Sequence, residues 1–201
     1  MLFRSEGHCA TFSGALARKQ GLKVICNIYS TFLQRAIDNV FHDVCLQESP
    51  VVFCLDRSGI ATGDGVTHHG IYDIGLLNCM PNMVISQPRN ADVFKDLLSS
   101  SFNYQRPVAI RYPNMACEES PDYEAKPREL GKAEIVSQGK GILIIALGHM
   151  VDMGLKIKKR LQNDFGLDAT VLDPVFVKPL DTETICRLLH DHNQKIGRAH
   201  V

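Results

Sequence analysis

The chain has 201 residues and no net charge, because 22 basic side chains balance 22 acidic ones. This length can bury the core of one large domain or two small ones, and the basic residues are spread too evenly to attract nucleic acid or an anionic membrane. The longest apolar run, over 141–148, is much shorter than the roughly 20 residues that a membrane span needs. We therefore expect a globular protein that acts on small molecules.

The two ends of the chain carry no periodic pattern. Residues 1–5 and 195–201 resemble the translation of common sequencing-adapter DNA. We expect both segments to be non-native and leave them out of the predicted fold. On this interpretation natural sequence runs from about Glu6 to about Gln194, and both natural termini are missing.

Predicted strands and helices alternate between residues 6 and 113. The helix at 31–44 has the clearest apolar face, and Thr31 and Gln34 have the spacing of a capping box at its start. The alternation predicts right-handed crossovers and a three-layer α/β domain with a mostly parallel sheet. The predicted elements are helices at 8–20, 31–44 and 90–101 and strands at 22–28, 51–55, 83–88 and 107–112.

Residues 114–132 lose this periodicity and are rich in Pro, Glu and Lys, which predicts an interdomain linker. A second α/β unit follows over 133–194. It contains too few strands for a closed sheet, so we expect an incomplete domain. Its predicted elements are strands at 133–137, 141–147 and 168–177 and helices at 149–164 and from about Asp181.

The segment 56–73 is the clearest candidate for a binding loop, because it places acids, an arginine and two adjacent histidines between glycines. These residues alone indicate only a polar small-molecule site. A metal site is a weaker alternative, since His68 and His69 would point in opposite directions along an extended loop. The seven cysteines are irregularly spaced with no CxxC pair, which predicts buried, reduced thiols in a cytosolic protein.

Five segments together resemble the 1-deoxy-D-xylulose-5-phosphate synthases in order and spacing. The resemblance implies a transketolase-like pyrimidine-binding domain over 6–113 and a truncated domain of the transketolase C-terminal type over 133–194. The succession of YSTFLQRA, DRxG and DGxTHxG is much more specific for this family than DGxTHxG alone. Transketolases contain a motif related to DGxTHxG. The segments are 6–8, 29–44, 56–73, 109–113 and 176–181, the last of which we expect to be scaffold.

The resemblance implies thiamine diphosphate as cofactor. Glu6 matches the glutamate that hydrogen-bonds a ring nitrogen of the aminopyrimidine, and Tyr29 and Phe32 match aromatic residues against that ring. Phe32 also lies on an apolar helix face, where a plain core role competes with this one. Glu6 is thus expected to be both catalytic and cofactor-binding.

The resemblance also implies substrate contacts. Arg57 and Arg111 match arginines that bind the phosphate of glyceraldehyde 3-phosphate. His8, Asp64 and His68 match polar residues around the reacting carbons, where they would position pyruvate and the aldehyde and move protons. Tyr29, beside the cofactor ring, is expected to contact substrate as well.

No metal ligand is predicted in this chain. The GDG at 63–65 followed by Asn90 has nearly the spacing of the magnesium and diphosphate motif of thiamine enzymes. The resemblance, however, places this GDG in the DGxTHxG loop. It assigns the Mg²⁺ ligands to a preceding domain that we expect to be missing.

The implied reaction joins pyruvate and glyceraldehyde 3-phosphate into 1-deoxy-D-xylulose 5-phosphate with loss of CO₂, for isoprenoid, thiamine and pyridoxal synthesis. We expect a homodimer in the full-length enzyme, in a bacterial cytoplasm or a plastid stroma, and an inactive fragment here. The alternatives are a transketolase, a 2-oxo acid dehydrogenase beta subunit, or a non-catalytic binding protein of the same fold. YSTFLQRA and the two arginines disfavour the first two.

Overall fold

A computed structural model describes residues 5–61, 63, 65–117 and 120–198, which form two α/β units. The first unit contains helices α1 (Glu6–Ala17), α2 (Ile37–Asn39), α3 (Asp73–Asn78) and α4 (Ala91–Ser101) and strands β1 (Val24–Tyr29), β2 (Val51–Asp56), β3 (Val84–Ser86) and β4 (Val108–Arg111). The second contains β5 (Glu134–Ser137), β6 (Ile142–Ala146), α5 (Met150–Phe165), β7 (Ala169–Asp173), β8 (Phe176–Lys178), α6 (Thr182–Asp191) and β9 (Gln194–Arg198).

The first sheet has the strand order β1-β2-β4-β3-β8, and the first four strands run parallel. The central strands β2 and β4 are almost wholly apolar and are buried along their length, as expected for a sheet that is covered on both faces. One face packs against α1 and the helical segment 32–45, and the other packs against α4. The mostly parallel, three-layer fold predicted from the sequence is confirmed.

The helix predicted at 31–44 is present, but its hydrogen-bond pattern is irregular. Phe32–Ala36 forms a 3₁₀ turn, Ile37–Asn39 an α-helical turn and Val40–Cys45 a π-helical segment. The predicted capping box is wrong: Thr31 has helical φ and ψ angles of −65° and −31° and makes no side-chain cap. Its hydroxyl instead donates to the carbonyl of Thr67 at 3.2 Å, because the binding loop lies directly above it.

The strand predicted at 168–177 is two strands that belong to different sheets. The chain turns at Pro174, which has no N–H, and at Val175, whose φ is +58°. The carboxylate of Asp173 accepts a hydrogen bond from the Val175 N–H at 2.9 Å and stabilises this turn. As a result β7 stays in the second sheet, whereas β8 pairs antiparallel with β3 of the first.

The second sheet has the order β5-β7-β6-β9, in which β9 pairs parallel with β6 along its full length. The exclusion of 195–201 from the fold is therefore wrong for Lys195–Arg198. An open sheet edge is completed by backbone hydrogen bonds, which require no particular side chains. Residues 1–4 and 199–201 lie outside the described part, and the non-native origin of both ends stays a prediction.

The linker 114–132 contains no helix or strand among its described residues but is fixed to the first unit. The buried carboxylate of Asp96 accepts hydrogen bonds from the Tyr123 hydroxyl, the Lys126 N–H and the Arg128 guanidinium at 2.7 to 3.2 Å. Within the described ranges, no helix has the length and apolar character needed to cross a membrane.

Candidate functional site

The candidate site lies at the carboxyl ends of β1 and β2. Tyr29 is the last residue of β1, and Arg57 follows directly after β2. In open parallel sheets this edge is where ligands commonly bind. The described part of the loop 57–72 returns to this edge, where the Thr67 carbonyl accepts from the Thr31 hydroxyl.

A stacked pair of aromatic rings forms the centre of the site. Tyr29 and Phe32 have ring centroids 5.3 Å apart and planes only 10° from parallel. The ring of His68 meets Phe32 edge-on, with centroids 5.5 Å apart. The adjacent His69 has a different partner, since its Nδ1 accepts from the Ala61 N–H at 3.1 Å.

Two guanidinium groups lie over these rings. Arg57 lies 4.1 Å from the Tyr29 ring centroid, and Arg35 lies 4.6 Å from that of Phe32. Arg35 also forms an ion pair of 3.1 Å with Glu6 at the start of α1. The Glu6 side chain is only 17% exposed, so its carboxylate is partly shielded from water, and Arg35 links it to the Phe32 ring.

We call these residues the aromatic cluster. Its members are joined by direct contacts and are Glu6, Tyr29, Phe32, Arg35, Arg57 and His68. A flat heteroaromatic ring could lie against the aromatic pair in place of one guanidinium, with a carboxylate at its edge. The described residues thus fit the ring end of thiamine diphosphate.

Close backbone packing holds the loop against β1. Gly70 exchanges two hydrogen bonds of 2.8 Å with Gly59, and a Cβ at Gly70 would lie 2.4 Å from the Ser30 hydroxyl oxygen. Arg57 adopts a left-handed φ of +56°, which is uncommon for a residue with a side chain. Backbone strain of this kind is often found at functional sites. The Ser30 hydroxyl is buried beneath Gly70 and has no hydrogen-bond partner among the described residues.

Arg111 lies outside the aromatic cluster, and its expected contact with a substrate phosphate stays a prediction. Its side chain is 1% exposed, and its guanidinium donates to both carboxylate oxygens of Asp73, at 2.9 and 3.1 Å. It also donates to the side-chain oxygen of Gln87. A ligand phosphate would have to displace these buried partners.

His8 and Asn90 have partners outside the cluster. The exposed His8 ring stacks on Phe12 with centroids 5.9 Å apart, and Asp64 lies outside the described residues. Asn90 caps α4 by accepting from the Val93 N–H at 3.0 Å. Over 5–61, 63, 65–117 and 120–198, no three His, Cys, Asp or Glu side chains are grouped as metal ligands.

The prediction of buried thiols is confirmed for three cysteines and wrong for four: Cys26, Cys45 and Cys54 are buried, whereas Cys9, Cys79, Cys117 and Cys186 are exposed. Burial raises the pKa of Cys54, in β2, to about 11, and that of Cys45 to about 12. Burial likewise raises the pKa of Tyr112, just after β4, to about 12. These three groups stay protonated near neutral pH and so do not act as nucleophiles there.

Two residues with a role in the site were not predicted from the sequence. Arg35 follows Phe32 by three positions within one helical segment, a spacing that places two side chains on the same face. This spacing was enough to predict that Arg35 lies beside Phe32. Asp73 lies at the end of the predicted loop, and nothing in its local sequence predicts its pairing with Arg111, 38 residues later.

Comparison with known protein families identifies both units. Residues 4–119 match the family described as transketolase, pyrimidine binding domain, and residues 131–196 match transketolase, C-terminal domain. A solved structure described as a split gene transketolase, inactive beta4 tetramer, superposes with a TM-score of 0.84 over 96% of this chain and 62% of its own, at 24% identity. The transketolase-like fold expected from the sequence is confirmed.

Curated relatives share about half of the residues. A 1-deoxy-D-xylulose-5-phosphate synthase from Chlamydia muridarum is 53% identical over 193 residues, and one from Chlamydia abortus is 51% identical over 200 residues. In each case the match covers 96% of this chain but only 30% of the relative. The chain therefore spans less than a third of the length of these curated relatives.

Proposed function

The chain belongs to the family of transketolase pyrimidine-binding domains, and we propose that it is the ring-binding part of a 1-deoxy-D-xylulose-5-phosphate synthase. The proposed enzyme condenses pyruvate with glyceraldehyde 3-phosphate, releases CO₂ and supplies precursors for isoprenoids, thiamine and pyridoxal. Support comes from relatives of that name with more than half of their aligned residues identical. The bacterial source of these relatives favours the bacterial cytoplasm over a plastid.

The cofactor contacts proposed for this chain concern one end of thiamine diphosphate. Tyr29 and Phe32 offer flat faces for the aminopyrimidine ring, and the shielded carboxylate of Glu6 holds a proton shared with a ring nitrogen. When bound, the cofactor supplies the carbon nucleophile for the reaction. Glu6 must then exchange its ion pair with Arg35 for the ring, while the aromatic pair excludes water from one side.

The substrate contacts proposed are those of Arg57 and His68. Arg57 carries a guanidinium above Tyr29 that is also paired with Asp56, and a guanidinium can bind a phosphate through two parallel hydrogen bonds. His68 lies beside Phe32 and can move a proton near neutral pH. Roles for His8 and Asp64, and a phosphate contact of Arg111, rest on the family resemblance alone.

We propose that this chain is inactive by itself. The family resemblance assigns the diphosphate and Mg²⁺ sites to a preceding domain that this chain does not match, and the full-length enzyme is proposed to be a homodimer. A chain that contacts only the aminopyrimidine ring would leave most of the contacts between cofactor and protein unmade. Purified chain with both substrates, cofactor and Mg²⁺ should therefore form no product.

One observation supports the proposal most directly: Glu6, Tyr29, Phe32, Arg57 and His68 lie in one cluster. The chain that brings them together matches relatives named 1-deoxy-D-xylulose-5-phosphate synthase. A chimera tests it. Residues 6–194 would replace the matching segment of the Chlamydia muridarum relative, and product formation from pyruvate and glyceraldehyde 3-phosphate would be measured. A folded chimera without this activity would refute the proposal.

The chimera also separates the proposal from a transketolase. A transketolase would exchange two-carbon units between sugar phosphates and would not consume pyruvate. The same preparation can be assayed for both reactions. Sugar interconversion without loss of CO₂ would favour the transketolase alternative.

Phosphate recognition by Arg57 gives a sharper test in this chimera. Arg57→Ala should raise the KM for glyceraldehyde 3-phosphate by roughly tenfold to a hundredfold, as expected for hydrogen bonds to a charged group. The KM for unphosphorylated glyceraldehyde should change little. Arg18→Ala is a matched control, because Arg18 is an exposed arginine that donates to Gln47 at 2.8 Å. Equal losses for both aldehydes would exclude a phosphate contact.

A further inference from the structure

The Arg35 side chain makes two contacts that a bound aminopyrimidine ring would also need. Its Nη1 donates to Oε1 of Glu6 at 3.1 Å, and its guanidinium carbon lies 4.6 Å from the centroid of the Phe32 ring. A ligand ring stacked on Phe32 would have its centroid about 4.5–7 Å from the same point. The guanidinium therefore takes up space that such a ring requires.

The Tyr29 ring limits where else a ligand ring could lie on Phe32. The two aromatic rings are stacked, with centroids 5.3 Å apart and planes 10° from parallel. A ligand ring that stacks on Phe32 and also reaches the Glu6 carboxylate must then take the place of Arg35.

The chemistry of a guanidinium group resembles that of an aminopyrimidine. Both groups are flat, both carry N–H donors in the plane, and both can stack on an aromatic face. The Glu6 side chain is 17% exposed, and a shielded carboxylate without a partner is costly. Arg35 gives this carboxylate a partner before any ligand binds.

Arg35 is better suited to leave the site than Arg57, which lies over Tyr29. Arg57 is paired with Asp56, and its side chain is 21% exposed. The Arg35 side chain is 37% exposed and extends from the surface of the helical segment 32–45. Ion pairs and cation–π contacts at such exposed positions contribute little, so a ligand can displace Arg35 into solvent.

We propose that Arg35 is an internal stand-in for the aminopyrimidine ring. It covers Phe32 and pairs with Glu6 until a ligand ring displaces it, and it thereby lowers the apparent affinity of the site. The apparent dissociation constant is the intrinsic constant divided by the fraction of chains in which Arg35 has left. The inference rests on the proposed function only in treating the aromatic cluster as a ring-binding site.

The test is an NMR titration of the 201-residue chain with hydroxymethylpyrimidine, the uncharged aminopyrimidine half of thiamine. This probe needs no diphosphate site, and its lack of charge removes simple repulsion by Arg35. Arg35→Ala removes the stand-in, and Arg35→Lys keeps a charge near Glu6 without a flat group. Arg18→Ala is the control, because Arg18 is an exposed arginine paired with Gln47.

Two readouts follow the titration. The His68 ring lies beside Phe32, so its resonances give the dissociation constant of the probe. The δ-proton resonances of Arg35 report its own position, because the Phe32 ring current shifts them while the guanidinium lies over that ring.

Arg35→Ala should bind the probe about fivefold to tenfold more tightly than the wild-type chain, if Arg35 covers the site in roughly 80–90% of molecules. Arg35→Lys should lie between the two, and Arg18→Ala should match the wild type. In the wild-type chain, the probe should return the Arg35 δ-proton resonances to their ordinary positions.

Two kinds of failure can be told apart. Equal or weaker binding by Arg35→Ala, or binding that leaves the Arg35 resonances unchanged, would overturn this inference and leave the proposed ring site intact. Binding by none of the chains would overturn both. Should Arg35→Ala fail to fold, Arg35→Lys decides, and affinity equal to that of the wild type would then reject the stand-in.

Discussion

Gly70 allows the binding loop to approach β1 more closely than any other residue would. It is buried, it pairs with Gly59 through two backbone hydrogen bonds, and it lies directly on the Ser30 side chain. The same contact leaves the Ser30 hydroxyl without a partner among the described residues. The close approach of the loop to β1 therefore leaves one buried hydroxyl group without a hydrogen bond.

Gly70→Ala is expected to destabilise the chain and displace the loop. The added Cβ would lie 2.4 Å from the Ser30 hydroxyl oxygen and 2.5 Å from the Arg57 carbonyl oxygen, and the second of these cannot move without shifting the loop. Overpacking of this kind costs about 1–3 kcal/mol. Urea unfolding measures the loss. Gly63→Ala is the control in the same loop, because a Cβ there would have no described atom within 4 Å. Equal stability of the two variants would contradict the prediction.

Among single residues, the resemblance predicted which side chains lie together better than it predicted the partner of each arginine. The resemblance named Glu6, Tyr29, Phe32, Arg57 and His68, and the structure brings these five together. It also named His8 and Asp64, and Arg111, which is buried against Asp73; the roles of these three stay predictions. Whether an arginine faces a ligand or an internal acid depends on distant packing, and an aspartate 38 residues earlier carries no such information in its local sequence.

The positions of the helices and strands follow from the apolar pattern of the sequence. The hydrogen-bond pattern within a helix does not. The segment 32–45 was predicted as one helix from its apolar face, and that face packs inward as expected. Its turns nevertheless change from 3₁₀ to α to π, because several spacings can present the same side chains to the sheet. The split between β7 and β8 likewise depends on two residues, Pro174 and Val175, within an otherwise continuous apolar run.

Asp181 performs two functions at the start of α6, and this gives a prediction. One carboxylate oxygen accepts from the Thr184 N–H and the other from the Ala133 N–H, both at 3.1 Å. Asp181→Ala should cost about 1–2 kcal/mol or more, because it removes a helix cap and leaves a backbone donor at the edge of β5 without its partner. Asp181→Asn should restore only the part due to the cap, since an amide has one acceptor oxygen. Urea unfolding of both variants checks the order, and equal losses would mean that the Ala133 contact contributes nothing.

At the scale of the whole molecule, the two units are joined by a shared sheet and by a network of charges. β8 carries the second unit into the first sheet. Arg89, between β3 and α4, pairs with Glu134 at 2.8 Å and with Asp173 at 3.1 Å, and Arg128 adds a further bond to Glu134. Burial acts to raise the pKa of Glu134, but the hydrogen bonds from Arg89 and Arg128 lower it. The sequence predicted two units and a linker, but pairings over such separations leave no periodic pattern from which to predict them.

The buried carboxylate of Asp173 should make stability depend on pH in one defined window. Burial raises its pKa from 3.8 to about 6, so the folded chain keeps a proton that the unfolded chain releases between these values. The free energy of unfolding should therefore fall as the pH rises from about 4 to about 6, by at most about 1.4 kcal/mol per pH unit for one proton. The lowered pKa of Glu134 acts in the opposite direction and only below its ordinary value of 4.5.

Asp173→Asn tests this assignment, since an amide does not titrate. Urea unfolding at a series of pH values should show the fall between pH 4.5 and about 6 in the wild-type chain and a flatter dependence in the variant. The variant also loses one partner of Arg89, which shifts its curve at all pH values without adding a slope. Asp152→Asn, at an exposed position of α5, should keep the wild-type slope. If Asp173→Asn retains the full slope, another group releases the proton, and Asp173 is ionised in the folded chain throughout this range.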